Sequence, residues 1–129
     1  MADDSLFRLD GKIAAIVGAG SGIGEAVAPG AARLGAAVIG FDMNEPAAQA
    51  VARRIGGSAL AAAIDIRDGR AVATAFDTIV RERGRLDIVV CTPSINVRKP
   101  ILQYSEDEYD RVVAVNLKGS FNVLQPDGL

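Results

Sequence analysis

The amino-acid sequence predicts an α/β domain: a doubly wound parallel sheet of about four strands, in the order 3-2-1-4, with helices on both faces. Three observations predict it. Apolar runs of strand length alternate four times with stretches of helical length and spacing, the pattern of β–α units around a parallel sheet. Right-handed crossovers between such units then set the strand order. Finally, the chain has 129 residues, 50% hydrophobic and 5% aromatic, enough for one domain whose core is built from Ala, Val, Ile and Leu. No internal repeat, linker or low-complexity tract interrupts the pattern.

Taken in order, Met1 to Gly11 read as a loose arm, with Leu6, Phe7 and Leu9 able to dock. Lys12 to Val17 is the first strand. It feeds Gly18-Ala19-Gly20-Ser21-Gly22-Ile23-Gly24, and the first helix runs from Gly22 to about Leu34, with Gly35 as its stop. Ile23, Val27, Ala31 and Leu34 share one face at helical spacing. Pro29 lies well past the first turn, where it removes a hydrogen bond and pushes on the carbonyl of Glu25, at about 3 kcal/mol or more. Gly30 beside it adds about 1 kcal/mol relative to alanine. Against a total stability of about 5–15 kcal/mol, this predicts a kink or an early break.

Ala36 to Phe41 is the second strand, ending at Asp42, and Glu45 to Ile55 is a short helix closed by Gly56-Gly57. Ala59 to Ile64 is the third strand, ending at Asp65. Asp68 caps a helix that runs to Arg83, with Val72, Phe76, Ile79 and Val80 as its buried stripe and Gly84 as its end. Leu86 to Val90 is the fourth strand, expected to present an apolar edge, and a loop follows through Pro100. Ser105-Glu106-Asp107-Glu108 forms a capping box. The helix it opens carries Tyr109, Val112, Val113, Asn116 and Phe121 and stops near Gln125, before Pro126.

The inventory narrows the chemistry. The net charge is −2 with no basic block, which argues against a nucleic-acid partner. Cys91 is the single cysteine, so no internal disulfide forms and a reducing cytoplasm is the default compartment. The first twelve residues hold three Asp and no long apolar run, so neither a signal peptide nor a membrane span is expected. With no histidine and no cysteine cluster, a zinc site and a Ser–His or Cys–His nucleophile are excluded.

What remains is the glycine-rich turn. A strand, a glycine turn and a helix together make a place to hold a diphosphate. The helix offers unpaired N–H groups and the positive end of its dipole, and glycine lets the main chain come close. Gly18, Gly22 and Gly24 give the spacing G-x-x-x-G-x-G; the shorter G-x-G-x-x-G needs glycine at 23, where Ile23 stands. Asp42 ends the next strand about twenty residues on, where an acid accepts hydrogen bonds from both hydroxyls of a ribose and repels a 2′-phosphate. Ser21 and Met43 offer no positive charge to such a phosphate, so NAD is favoured over NADP. Asp42 also suits a helix cap before Asn44-Glu45, and the two roles are compatible.

The longer glycine spacing, placed after the first strand, resembles the short-chain dehydrogenase/reductase family. The resemblance covers nearly the whole chain but only the first half of a family member, so residues 1–129 are expected to form a truncated, Rossmann-type NAD(P)-binding domain. It implies cofactor contacts from Gly18, Ser21, Gly22, Ile23 and Gly24, from Asp42 and Met43, from Asp65 and Ile66, and from Cys91. In the family, an Asp at position 65 and the N–H after it lie against the adenine; a turn-initiating Asp is the other reading. After the fourth strand the family usually shows Asn-Asn-Ala-Gly, and this chain has Cys91-Thr92-Pro93-Ser94. Proline removes an N–H there, and serine adds a side chain where glycine lets the backbone near the cofactor. Val17 stands where the family usually has Thr, and Cys91 reads as a small buried hydrophobe rather than a reactive thiol. Asn116-Leu117-Lys118-Gly119 resembles the family's N-x-x-G, whose Asn organises water near a catalytic lysine. A core Asn bonded to backbone is the other reading of Asn116.

The resemblance implies hydride transfer between a nicotinamide and a small-molecule secondary alcohol or ketone. The family's Tyr-x-x-x-Lys motif, in which Tyr exchanges the proton and Lys lowers its pKa, comes later in the chain. Neither of the two tyrosines here makes that motif: Glu108 lies four residues after Tyr104, and Val113 four after Tyr109. These 129 residues are therefore expected to bind cofactor without turning over substrate. A non-catalytic nucleotide-binding module is one alternative. An interaction fragment is another, since the free strand edge and the last helix, which lies at the subunit interface in the family, favour self-association.

Overall fold

A computed structural model describes residues 4–126. Four strands, β1 (Ile13–Val17), β2 (Ala37–Asp42), β3 (Leu60–Ala63) and β4 (Ile88–Cys91), form one parallel sheet in the order β3-β2-β1-β4. The helices are α1 (Gly22–Arg33), α2 (Glu45–Ile55), α3 (Gly69–Arg83), α4 (Glu106–Val113) and α5 (Ser120–Leu124), and a π-helical segment, Ala114–Gly119, joins the last two. Fold class and strand order are as the sequence predicts. The register seats Ala14 between Val38 of β2 and Ile88 of β4. At the start of the ladder the Asp87 carboxylate accepts the Ile13 N–H at 2.8 Å, and at its far end the Thr92 N–H donates to the Val17 carbonyl at 3.0 Å.

Side chains alternate across β1 and so divide the core into two layers. Ala14 and Ile16 face Ala28 of α1, Val38 and Val51, while Ala15 and Val17 face Phe41, Phe76 of α3 and Val123 of α5. On α3, Val72, Phe76 and Ile79 are buried and Val80 is half-buried; each large side chain buried in full contributes about 1.5–3 kcal/mol. Helix ends follow their sequence signals. The Asp68 side chain accepts the Ala71 N–H at 3.0 Å, Gly84 closes α3 at φ 83°, and the Ser105–Glu108 capping box is fully formed. The cap of α2 is Asn44, which accepts the Ala47 N–H at 3.2 Å, so Asp42 does not serve as that cap.

Five expectations are corrected. First, α1 shows no early break: it continues past Pro29 to Arg33. Gly24 and Ala28 are buried, and Val27, Ala31 and Ala32 pack against the sheet, so contacts on both sides of the proline outweigh its local penalty. Second, Ile23 and Leu34 lie outside the buried face of that helix, at 71% and 39% exposure. Third, of the arm residues only Leu9 packs on the core; Leu6 and Phe7 stay exposed. Fourth, the last helix is not regular. A π turn takes about one extra residue, which moves the buried face on by one position downstream. Asn122 and Val123 turn inward, and Phe121, like Tyr109, turns out. β4 also lies slightly later than predicted, at Ile88–Cys91, with Leu86 buried just before it. The last three residues of the chain, which follow the predicted stop near Gln125, lie outside the described residues.

Candidate functional site

The C-terminal ends of the four strands open into a cleft of about 440 Å³, within the ~300–1,000 Å³ typical of small-molecule sites. It lies beside the junction of β1 and β4, where the strand order reverses, the place where open α/β sheets hold ligands. Val17, Gly18, Ser21, Gly22 and Ile23 form one wall, and Asp42 and Met43 the next. Ile64, Asp65 and Ile66 form a third, and Thr92 to Ile95 with Val115 face them. Eight of the predicted cofactor residues thus meet in one cleft, while Gly24, Cys91 and Asn116 lie outside its lining.

The glycine turn is shaped by close packing. Gly18 has φ 89°, and a Cβ there would overlap Thr92 Oγ1, which donates to the Val17 carbonyl at 3.0 Å. A Cβ on buried Gly24 would overlap the Gly18 carbonyl, so Gly24 lets the start of α1 fold directly beneath the turn. Gly22 meets open space and is needed for its backbone, at φ 55°. Ser21 is the N-cap of α1 and makes no side-chain cap bond, which leaves the first-turn N–H groups available to an anion. The cradle fits a diphosphate.

Asp42 is fixed by backbone donors. Its Oδ2 accepts the Gly20 N–H and its Oδ1 the Asn44 N–H, each at 2.9 Å. Carboxylate oxygens keep further lone pairs, so the group can still accept from a ligand. Asp65 is paired with Arg67, whose Nη2 lies 2.6 Å from Oδ2, and it accepts the Arg67 N–H at 3.0 Å in a turn. The Arg67 guanidinium holds the Asp65 carboxyl below the usual carboxylate range. The turn-initiating reading of Asp65 is therefore realised, on a residue that also lines the cleft.

Asn116 lies in the π segment and is exposed. Its Oδ1 accepts the Ile95 N–H and its Nδ2 donates to the Ile95 carbonyl, both at 2.8 Å, which ties the Thr92–Ile95 wall to the helix. Cys91 ends β4 half-buried against the core, and burial pushes its thiol up. Further along the same loop, the Tyr104 hydroxyl donates to the Val97 carbonyl and Lys99 Nζ donates to Glu108 at 2.6 Å. Three residues that sequence reasoning passed over shape the site: Thr92, which locks β4 to the glycine turn; Arg67, the partner of Asp65; and Asn122, which bonds to Ile66. Asn122 had a legible signal, a lone amide in the apolar run Phe121-Asn122-Val123-Leu124. Among the described residues no group of His, Cys, Asp and Glu could hold a metal, and no helix is long and apolar enough to cross a membrane.

A four-stranded parallel sheet with helices on both faces and a glycine-lined crevice at its switch point defines a Rossmann-type α/β domain. The family model described as short chain dehydrogenase matches residues 12–126. The chain belongs to the short-chain dehydrogenase family. It is 38% identical over 125 residues to D-threitol dehydrogenase of Mycolicibacterium smegmatis, covering 95% of this chain and 48% of that protein. It is 40% identical over 123 residues to elsinochrome reductase 1 of Elsinoe fawcettii, covering 92% of this chain and 46% of that one. Among solved structures, 3-ketoacyl-(acyl-carrier-protein) reductase from Brucella melitensis, complexed with NADH, superposes with a TM-score of 0.85 at 37% identity, over 90% of this chain and 48% of that one. A short-chain type dehydrogenase/reductase from Mycobacterium marinum gives 0.90 at 34% identity, over 97% of this chain and 52% of that one. The chain spans about half the length of the relatives it matches.

Proposed function

We propose that residues 1–129 form the NAD-binding half of a short-chain oxidoreductase whose complete form moves hydride between a nicotinamide and a small-molecule secondary alcohol or ketone. The observation that carries this reading is the meeting of the glycine turn and Asp42 in one cleft at the switch point of the sheet. The first-turn N–H groups of α1 bind the diphosphate. Asp42, oriented by Gly20 and Asn44, accepts from the adenosine ribose. Its fixed negative charge, with no lysine or arginine among the residues lining the cleft, favours NAD over NADP. Asp65 and Ile66 flank the adenine, and Asn116 holds the wall on the opposite side. The nicotinamide supplies the hydride donor or acceptor when bound. Calorimetric titration with NAD, NADP, ATP and FAD tests the reading. Binding of NAD, weaker binding of NADP and no alcohol turnover are expected, and a folded sample that binds none of the four overturns it.

A second reading, nucleotide binding without catalysis, is favoured by the two tyrosines. The Tyr104 hydroxyl is bound to Val97, Tyr109 is exposed on α4, and neither lines the cleft. NAD-dependent turnover of an alcohol by the 129 residues without another chain would rule it out. Self-association also belongs to the proposal, supported by the edge position of β4 and the exposed Leu117, Phe121 and Leu124 of the last helix. A reducing cytoplasm, in keeping with the unpaired Cys91, is the proposed compartment.

A further inference from the structure

Asn122 is the one buried polar or charged residue among the described residues, 8% exposed, and it lies outside the lining of the cleft. Its Nδ2 donates to the Ile66 carbonyl at 2.8 Å and to the Arg67 carbonyl at 3.4 Å. These bonds join α5 to the connection between β3 and α3 across 56 residues of chain. Two glycines make the approach possible. A Cβ on Gly119, three residues back on the same helical face, would sit 2.5 Å from Ile66 Cδ1, and one on Gly69, the first residue of α3, would sit 3.0 Å from Asn122 Oδ1. The helix therefore packs on the Ile66 side chain and bonds to the Ile66 backbone, and Ile66 itself lines the cleft.

An amide buried beside Val123 and Ile66 is unfavourable unless it is bonded, and backbone carbonyls that have left a strand need donors from elsewhere. Asn122 meets both needs at one point. We infer that Asn122 is a positioning residue for the nucleotide: by clamping the Ile66–Arg67 backbone from behind, it fixes the wall against which the adenosine half lies. The inference rests on the dinucleotide reading above. Arg67 is then held on two sides, by Asn122 through its carbonyl and by Asp65 through its guanidinium, so the connection has little freedom to shift when a base enters.

The test compares two fragments of the dinucleotide, AMP and inorganic pyrophosphate, on the 129-residue chain by calorimetry, before and after Asn122→Leu, with a thermal melt of each protein. AMP binding is expected to weaken about tenfold, the size of one well-made buried hydrogen bond, while pyrophosphate on the glycine turn changes by less than about twofold. Equal weakening of both ligands, or no change in either, overturns the inference. Wild-type protein that binds neither ligand overturns the dinucleotide reading and this inference with it. Should Asn122→Leu fail to fold, the wild-type protein decides the matter by NMR. AMP is expected to move the Asn122 side-chain amide resonances and pyrophosphate to leave them in place; resonances unmoved at saturating AMP overturn the inference.

Discussion

Gly24 leaves no room for even one methyl group, because a Cβ there overlaps a backbone oxygen that cannot swing aside. Gly24→Ala is expected to lower unfolding stability by about 1–3 kcal/mol, read as a shifted urea midpoint at unchanged slope. Asp42 is constrained differently, through the bonds it accepts. Asp42→Ala releases the Gly20 and Asn44 N–H groups and removes the charge that, in the function proposed above, faces the ribose. It is expected to weaken NAD binding about tenfold and to narrow the gap to NADP, both measurable by calorimetry. Glu108 gives a pH prediction. Lys99 first, and then the Ser105 N–H, hold its carboxyl below the usual range. A depressed folded pKa adds stability that is complete above the unfolded value, about 4.3, and is lost as pH falls through the folded one. Lys99→Met should therefore melt below the wild type at pH 7, with the difference closing as pH falls through the depressed folded value. The pair is partly exposed, so the difference at pH 7 is small.

At the scale of elements, the bounds of α2 and α3 were legible to the residue, through Asp68 as a cap and Gly56 and Gly84 as stops, while the Asn44 cap of α2 went unread beside Asp42. α1 and the last helix were less so, for opposite reasons. In α1 the sequence shows the local penalty of Pro29 but not the contacts of Ala28 and Ala31 that override it. Pro29→Ala restores the missing donor to the Glu25 carbonyl and is expected to stabilise the protein by about 1–3 kcal/mol, seen as a higher melting temperature. In the last helix the apolar spacing of Tyr109, Val112, Val113 and Phe121 is regular, and nothing in it marks the extra residue that the π segment inserts. That insertion turns Asn122 inward, so the apolar spacing passed over the amide that bonds to Ile66, while Asn116 stood out by its resemblance to the family's N-x-x-G. The glycine turn and Asp42 were legible because backbone geometry and charge restrict the residue type at those positions. The Thr92 contact joins two distant strands and leaves no local pattern.

For the whole molecule, a sheet that ends at β4 and a last helix that exposes Leu117, Phe121 and Leu124 leave apolar surface on one flank. Light scattering is expected to show species larger than a monomer, increasing with concentration; a sharp monomer peak at high concentration would count against this. The fit of Thr92 against Gly18 also bears on engineering. A segment cut out around Gly18 to Gly24 is no portable cassette: the hydroxyl that fills the space left by the missing Gly18 side chain comes from 74 residues downstream. Grafting the motif into another scaffold demands that the recipient supply a threonine-sized plug at the end of its neighbouring strand.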